Sequence, residues 1–290
     1  MPTYAIVGIS GQVGRAAAEQ LLDDGAGIRA VVRSEANATI WRDRGAEVAI
    51  TALDDAAGLQ AAFDGVDGVF IMTPTWFGAQ DMFAENTKAL TALGQALRAA
   101  SSTKVALLSS IGAHRQHGTG AILKLHDMEA AFTDLPSVTS IRAGWFMENF
   151  AGLVSVVRES GVLPSMLAPL EREVPMIATV DIGRTVAEVL QSAWGGQRVI
   201  ELEGPRRYAP NDVAAAFAAV LARDVEARVL PSTQWRATYL SWGLTPRSAA
   251  AMVDMLNGFN TGWIAYEKGE AETTHCTTSL DAVLSELIRR

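Results

Sequence analysis

The chain has 290 residues, a net charge of −8 at pH 7 and one cysteine, Cys276. Its length allows one compact unit in which a nucleotide-binding domain carries a smaller appended region, whereas its negative charge disfavours nucleic-acid partners. The lone cysteine excludes an intramolecular disulfide framework. No apolar segment reaches the length that spans a bilayer, and the N-terminus carries no export signal. We therefore expect a cytoplasmic protein without membrane partners.

The first predicted elements are a buried strand over residues 4–7, a helix over residues 15–22 and a second strand over residues 28–32. Between strand and helix lie three glycines at intervals of three, which permit positive φ and close approach of a bulky anion to the backbone. GxxGxxG differs from GxGxxG and would fit an ordinary tight turn, but its position predicts a dinucleotide pyrophosphate site. The predicted cofactor-binding residues of this loop are Gly8, Ser10, Gly11, Gln12, Val13 and Gly14.

Apolar runs and amphipathic stretches alternate as far as residue 150, which predicts βαβ units and a Rossmann-type doubly wound parallel sheet. Further strands are predicted over residues 47–51, 68–72, 104–108 and 138–142. Helices are predicted over residues 56–63, 80–100 and 123–133, and we expect Asp55 to cap the first of these. Residues 1–150 are therefore predicted to form an NAD(P)-binding Rossmann domain.

Beyond residue 150 the alternation becomes less regular, and prolines separate short elements. We assign residues 151–290 to a smaller C-terminal α/β substrate region. A helix over residues 181–194, with Asp181 as its N-cap, is expected to return to the Rossmann domain. A strand over residues 199–202 and a helix from residue 210 are predicted to follow.

The second predicted strand ends in Arg33, where NAD-binding sites commonly carry a carboxylate for the ribose hydroxyls. An arginine at this position suits a 2′-phosphate, and Arg15 would add a second positive charge. NADP(H) is therefore the preferred cofactor, with NAD(H) as the alternative. Glu35 is a nearby carboxylate, and either arginine would also be ordinary on a solvated surface.

The chain resembles the NmrA-like family of atypical short-chain dehydrogenases over nearly its whole length. The resemblance rests on Arg33 and on the segments GISGQVG (8–14), IRAGWFMENF (141–150), TVDIGRTVAEVL (179–190) and LEGPRRYAPNDVAAAFAAVL (202–221). It implies a Rossmann domain with a small C-terminal region that closes a cleft over the nicotinamide. It also implies that Thr73, Pro74, Ser109 and Ser110 border the cofactor and that Trp145, Phe146, Met147 and Asn149 line the substrate side.

Typical short-chain dehydrogenases use a tyrosine and a lysine four residues later, and this pair is absent here, because all four tyrosines lie outside the helix over residues 123–133. His126 falls near the lysine position and is the candidate catalytic residue, with Lys124 as the alternative if the helix is rotated. The alternative for His126 is an ordinary histidine on the helix surface. His114 and His117 lack an accompanying carboxylate or cysteine at ligand spacing, so we expect no metal site.

Quinones relax the need for an acid, because hydride addition yields a stabilised hydroquinone anion, and alignment then provides most of the catalysis. A flat apolar slot is predicted from aromatic and soft side chains, although ordinary core packing is the alternative for each of them: Trp76, Phe77, Trp145, Phe146 and Met147. The leading hypothesis is an NADPH-dependent reductase of a quinone-like small-molecule acceptor. A redox sensor without turnover and a reductase of azo or imine bonds are the alternatives.

Overall fold

A central sheet dominates the computed structural model, which describes residues 1–100, 104–267, 269 and 271–289. Within these ranges the sheet has eight strands: β1 (Thr3–Val7), β2 (Gly27–Val32), β3 (Glu47–Ile50), β4 (Gly68–Ile71), β5 (Val105–Ser110), β6 (Ser137–Ala143), β10 (Gly196–Glu203) and β13 (Glu272–His275). They run parallel in the order β13–β10–β6–β5–β4–β1–β2–β3. The predicted doubly wound parallel sheet is confirmed.

Helices cover both faces of the sheet. One core cluster packs α1 (Gln12–Asp23), α2 (Glu35–Arg42) and α7 (Thr179–Gln191) on one face. A second cluster packs α3 (Ala56–Phe63), α4 (Met82–Ala99) and α5 (Leu123–Ala131) on the other. The predicted cap of α3 is confirmed, since the Asp55 carboxylate accepts a hydrogen bond of 3.1 Å from the Gly58 N–H.

The predicted cap of α7 is wrong. This helix begins at Thr179 after the extended residue Ala178, which places Asp181 in its first turn. The Asp181 carboxylate accepts hydrogen bonds from the N–H and hydroxyl of Thr278, so it ties the helix to a distant part of the chain. α7 packs so closely on α1 that a Cβ on Gly183 would lie only 2.5 Å from the Cβ of Ala16.

The smaller region contains short strands and helices around a core of its own. Its strands among the described residues are β7 (Trp145–Phe146), β8 (Val162–Ser165), β9 (Val174–Ile177), β11 (Arg207–Tyr208) and β12 (Glu226–Val229). Its helices there are α6 (Val154–Ser160), α8 (Pro210–Leu221), α9 (Ser232–Ser241), α10 (Pro246–Thr261) and α11 (Leu280–Arg289). The chain also crosses back, since α7, β10 and β13 all follow residue 150 and lie in the sheet layers.

The order of strands defines where a ligand can bind. β1 lies between β2 and β4, so the chain leaves it toward β2 and later returns on its other side. In open α/β sheets, the carboxyl ends of strands at such a reversal flank the binding crevice. The glycine loop follows β1 and the segment from residue 72 follows β4, so both border this crevice.

No helix in the described ranges is both long and apolar enough to cross a bilayer.

Candidate functional site

The glycine loop after β1 is a tight turn that side chains would block. Gly8 has a φ of +81°, in the left-handed region that favours glycine, and its carbonyl accepts a hydrogen bond of 2.9 Å from the Gly11 N–H. A Cβ on Gly14 would lie 2.4 Å from the Gly8 carbonyl oxygen, and one on Gly8 would lie 2.2 Å from Cγ of Met72. Glycine at positions 8 and 14 therefore allows the strand, the helix and the segment after β4 to meet.

The start of α1 presents backbone donors to this crevice. Gly11 is its N-cap and provides no side-chain cap, and its first turn has no acidic residue. N–H groups and the positive end of the helix dipole therefore stay available for an anion. Ser10 and Gln12 are exposed, whereas the side chain of Val13 belongs to the core. Val13 thus offers a ligand only its backbone.

Arg33 lies exposed just after β2. Within the described ranges no hydrogen bond or ion pair engages it, whereas Glu35 pairs with Arg42 on α2. Arg42 also lowers the pKa of Glu35 through their hydrogen bond. The Glu35 carboxylate is therefore engaged by Arg42, whereas the positive charge of Arg33 has no partner among the described residues. This arrangement fits a 2′-phosphate better than bare ribose hydroxyls.

The ends of β4 and β5 hold the remaining predicted cofactor residues. Thr73 and Pro74 follow β4 and are half-buried, and the Thr73 hydroxyl oxygen is buried without a hydrogen-bond partner in the described part of the chain. Such an atom fits a polar ligand group, since buried polar atoms are normally paired. Ser110 is half-buried at the end of β5, but Ser109 is buried and donates its hydroxyl to Glu129 on α5. The Ser109 hydroxyl is therefore engaged within the protein, and contact of Ser109 with the cofactor stays a prediction.

The two candidate catalytic residues on α5 have different surroundings. Lys124 is 5% exposed, and its Nζ donates to the carbonyl oxygens of Pro74 and Thr75 at 3.1 and 3.2 Å. Burial lowers the pKa of Lys124 to about 8. His126 is half-buried, and its Nδ1 lies 2.8 Å from the carbonyl oxygen of Ala113, which fixes Nδ1 as the donor and leaves Nε2 available.

Four of the predicted acceptor-lining residues are half-buried beyond the strand ends. Trp76 and Phe77 follow β4, whereas Trp145 and Phe146 form β7 just beyond β6. Phe77 and Trp145 pack against the core of the smaller region, and Phe146 packs against the sheet. Phe77, Trp145 and Phe146 therefore lie where the two regions meet.

The two other predicted acceptor-lining residues are placed differently. Met147 is 0% exposed and belongs to the core of the smaller region, so its side chain faces no open cleft. Asn149 is exposed in a 3₁₀ helix over Met147–Leu153. Contact of either residue with an acceptor stays a prediction, and we leave both out of the proposed pocket.

A buried ionic cluster beneath the site was missed by sequence reasoning. Arg142 on β6 donates to both carboxylate oxygens of Glu129, at 3.0 and 2.8 Å, and to Glu267 at 2.7 Å. Glu201 on β10 lies 3.9 Å from Arg142, and burial raises its pKa. His114 is nearby, and burial lowers its pKa. An arginine inside an otherwise uncharged buried strand was the available signal, because such a charge needs partners.

The polar loop after β5 packs against Trp263. The Trp263 ring stacks on His117 at 5.4 Å between centroids, and Arg115 lies 4.0 Å from its centroid. The Trp263 indole N–H also donates to the His117 carbonyl at 2.9 Å. In the described ranges no group of three or more His, Cys, Asp or Glu side chains has the geometry of a metal site.

The comparisons with known proteins agree with this architecture. The model of the NmrA-like family matches residues 2–261. An NAD(P)H azoreductase from Xenophilus azovorans is 25% identical over 252 residues, which are 86% of this chain and 85% of the azoreductase. Quinone oxidoreductase 2 from Escherichia coli K12 is 25% identical over 289 residues, 98% of each chain. The structure of an NADPH-dependent quinone oxidoreductase from Escherichia coli, complexed with NADPH, has a TM-score of 0.82 at 22% identity over 99% of both chains, which supports the fold alone.

Proposed function

The chain belongs to the NmrA-like family, and from this premise we propose that it is an NADPH-dependent oxidoreductase acting in the cytoplasm on a quinone or a similar conjugated acceptor. Relatives named as a quinone oxidoreductase and an NAD(P)H azoreductase support the reaction class. The observation that carries the proposal is the glycine loop at the reversal of strand order, next to Arg33, which has no hydrogen-bond or ion-pair partner among the described residues. Together they fit a phosphorylated dinucleotide.

The coenzyme would be held mainly by backbone groups. The loop from Gly8 to Gly14 and the start of α1 would bind the pyrophosphate, Arg33 the 2′-phosphate, and Thr73 and Ser110 polar groups farther along the cleft. When bound, the reduced coenzyme supplies a hydride. The protein contributes alignment and exclusion of water, which are the main aids to direct hydride transfer.

The acceptor would lie against aromatic side chains beyond the strand ends. Trp76 and Phe77 would form one wall, and Trp145 and Phe146 the other. Flat conjugated rings stack favourably on such surfaces. The tyrosine of typical short-chain dehydrogenases has no counterpart here, because Ile122 or Leu123, at the start of α5, falls near its position. A quinone fits this site because its reduced anion needs no strong acid.

His126 is the better proton donor of the two candidates on α5. Its Nδ1–H is directed at a backbone carbonyl, so Nε2 delivers a proton when the ring is doubly protonated. The Lys124 ammonium is engaged by the backbone of the β4 loop. Water is the alternative donor, and His126→Gln separates them: an unchanged rate with quinones would assign the proton to water.

The proposal is tested by measuring oxidation of NADPH with a panel of quinones and azo dyes. We expect acceptor-dependent turnover with quinones and a much lower rate with NADH. NADPH binding without oxidation by any acceptor would instead favour a redox sensor, which the absence of the tyrosine and lysine pair also allows. Absence of binding by either coenzyme would refute both functions.

A further inference from the structure

The Lys124 ammonium contacts one loop, the segment that follows β4. Its Nζ donates to the carbonyl oxygens of Pro74 and Thr75, and it lies 5.3 Å from the centroid of the Trp76 ring. Two of its three N–H groups thus have carbonyl acceptors, and the Trp76 ring is within the range of a cation–π contact. Lys124 is buried, with 5% of its surface exposed. A buried charge usually has a charged partner, but in the described part of the chain no carboxylate forms an ion pair with Lys124.

Trp76 has a backbone conformation that its surroundings must impose. Its φ is +49°, in the left-handed region that bulky residues rarely adopt. Such residues persist where neighbouring contacts hold them, and they concentrate at functional sites. The contacts from Lys124 reach Trp76 and the two residues immediately before it, and therefore act directly on this conformation.

The far end of the same loop is fixed by the smaller region. The N–H of Thr245, the N-cap of α10, donates to the Phe77 carbonyl at 3.1 Å, and its hydroxyl donates to the Ala79 carbonyl at 3.0 Å. Lys124 itself is anchored, since the buried Asn86 side chain donates to its carbonyl at 3.1 Å. The loop over residues 74–79 is thus held from α5 at its start and from α10 at its end.

We propose that Lys124 is a positioning residue that holds Trp76 as a preformed flat wall of the acceptor site, rather than a proton donor. This inference rests on the proposed function, because it needs an acceptor that stacks beside Trp76. A preformed wall lowers the ordering cost of binding, so its loss weakens binding of the acceptor more than it slows hydride transfer. The acceptor class it favours is a planar conjugated ring.

Hydrogen exchange tests whether Lys124 holds the loop over residues 74–79, and it requires no turnover. The Ala79 amide donates to the Trp76 carbonyl at 2.9 Å and the Thr245 amide donates to the Phe77 carbonyl at 3.1 Å, so both report opening of the loop. In Lys124→Met, these two amides should exchange about tenfold faster than in the unaltered protein, because the loop opens more often. Lys124→Arg, which retains charge and several donors, should restore most of the protection. Lys104→Met is the matched control, since it also removes a bond from a lysine to a backbone carbonyl, that of Ser192 at 2.6 Å, and should leave the loop unchanged.

Kinetics distinguish a positioning residue from an acid. Lys124→Met should raise the KM for a quinone about tenfold while kcat and the Kd for NADPH stay within about threefold. In a Trp76→Ala background the same change should raise KM less than about twofold, because the wall is already absent.

Two results would overturn the proposal: unchanged amide exchange in the loop of Lys124→Met, or a loss of kcat with unchanged KM. If none of the quinones supports oxidation of NADPH by the unaltered protein, the proposed function fails. The exchange experiment still decides whether Lys124 holds the loop over residues 74–79. Should Lys124→Met not fold, Lys124→Gln replaces it in both experiments.

Discussion

Arg33→Ala should weaken binding of NADPH about ten- to fiftyfold and leave binding of NADH within about twofold. A hydrogen bond to a charged group contributes about 1.5–3 kcal/mol, and each 1.4 kcal/mol is a factor of ten in Kd. Arg33 is exposed, so ionic screening places the effect in the lower part of that range. Within the described residues its charge is unpaired, so no other contact has to be broken before it binds the phosphate.

Isothermal titration of both coenzymes at low and moderate salt measures this difference. The gap between NADPH and NADH should narrow as salt rises, since the lost interaction is electrostatic. Arg44→Ala is the control, because this exposed arginine pairs with Glu19 at 2.6 Å. Equal losses for NADPH and NADH in Arg33→Ala would refute the assignment of Arg33 to the 2′-phosphate.

Three further predictions concern stability. Gly14→Ala should lower the free energy of unfolding in urea by about 1–3 kcal/mol through overpacking against the loop backbone, whereas Gly152→Ala, with open space around an added Cβ, should change it by less than about 0.5 kcal/mol. Arg142→Met should lower the free energy of unfolding by about 3–5 kcal/mol, because it leaves buried carboxylates without their cation. Arg98→Met, which removes an exposed ion pair, should lower it by less than about 1 kcal/mol, and similar losses in the two variants would contradict this reasoning. The pKa of Lys124 is lowered from 10.5 to about 8, so between these pH values the unfolded chain binds more protons than the folded chain. The free energy of unfolding should therefore rise with pH across that window by up to about 3 kcal/mol relative to Lys124→Met, and parallel pH curves for the two proteins would refute the shift.

The sheet and its helices were predictable because their signals are local. Apolar runs and amphipathic stretches alternate through residue 143, and each predicted strand there lies within two residues of the observed one. Asp55 caps α3 through an N–H only three residues away, which sequence spacing can reveal. Asp181 looks like a cap by the same rule, but its partner Thr278 is 97 residues distant, and no local pattern indicates that contact.

The geometry of the candidate site was predictable where the backbone forms it, and the binding roles of its residues stay predictions. The glycines of the first loop follow from the turn itself, and Arg33 follows from its place at a strand end. Side chains whose partners are distant in sequence were harder. Ser109 lies at the predicted strand end but binds Glu129 on a helix, and Lys124 contacts a loop fifty residues earlier.

The placement of β10 has a practical consequence for dissection of the molecule. Every residue of β6 is buried, and β10 pairs with β6 along its whole length, from Ser137 to Ala143. A fragment ending at residue 150 would lack β10 and leave the backbone N–H and C=O groups on that side of β6 unpaired, and such an edge invites pairing with other copies. The coenzyme-binding half therefore depends on sequence that follows it, and we expect a fragment of residues 1–150 to aggregate rather than fold alone.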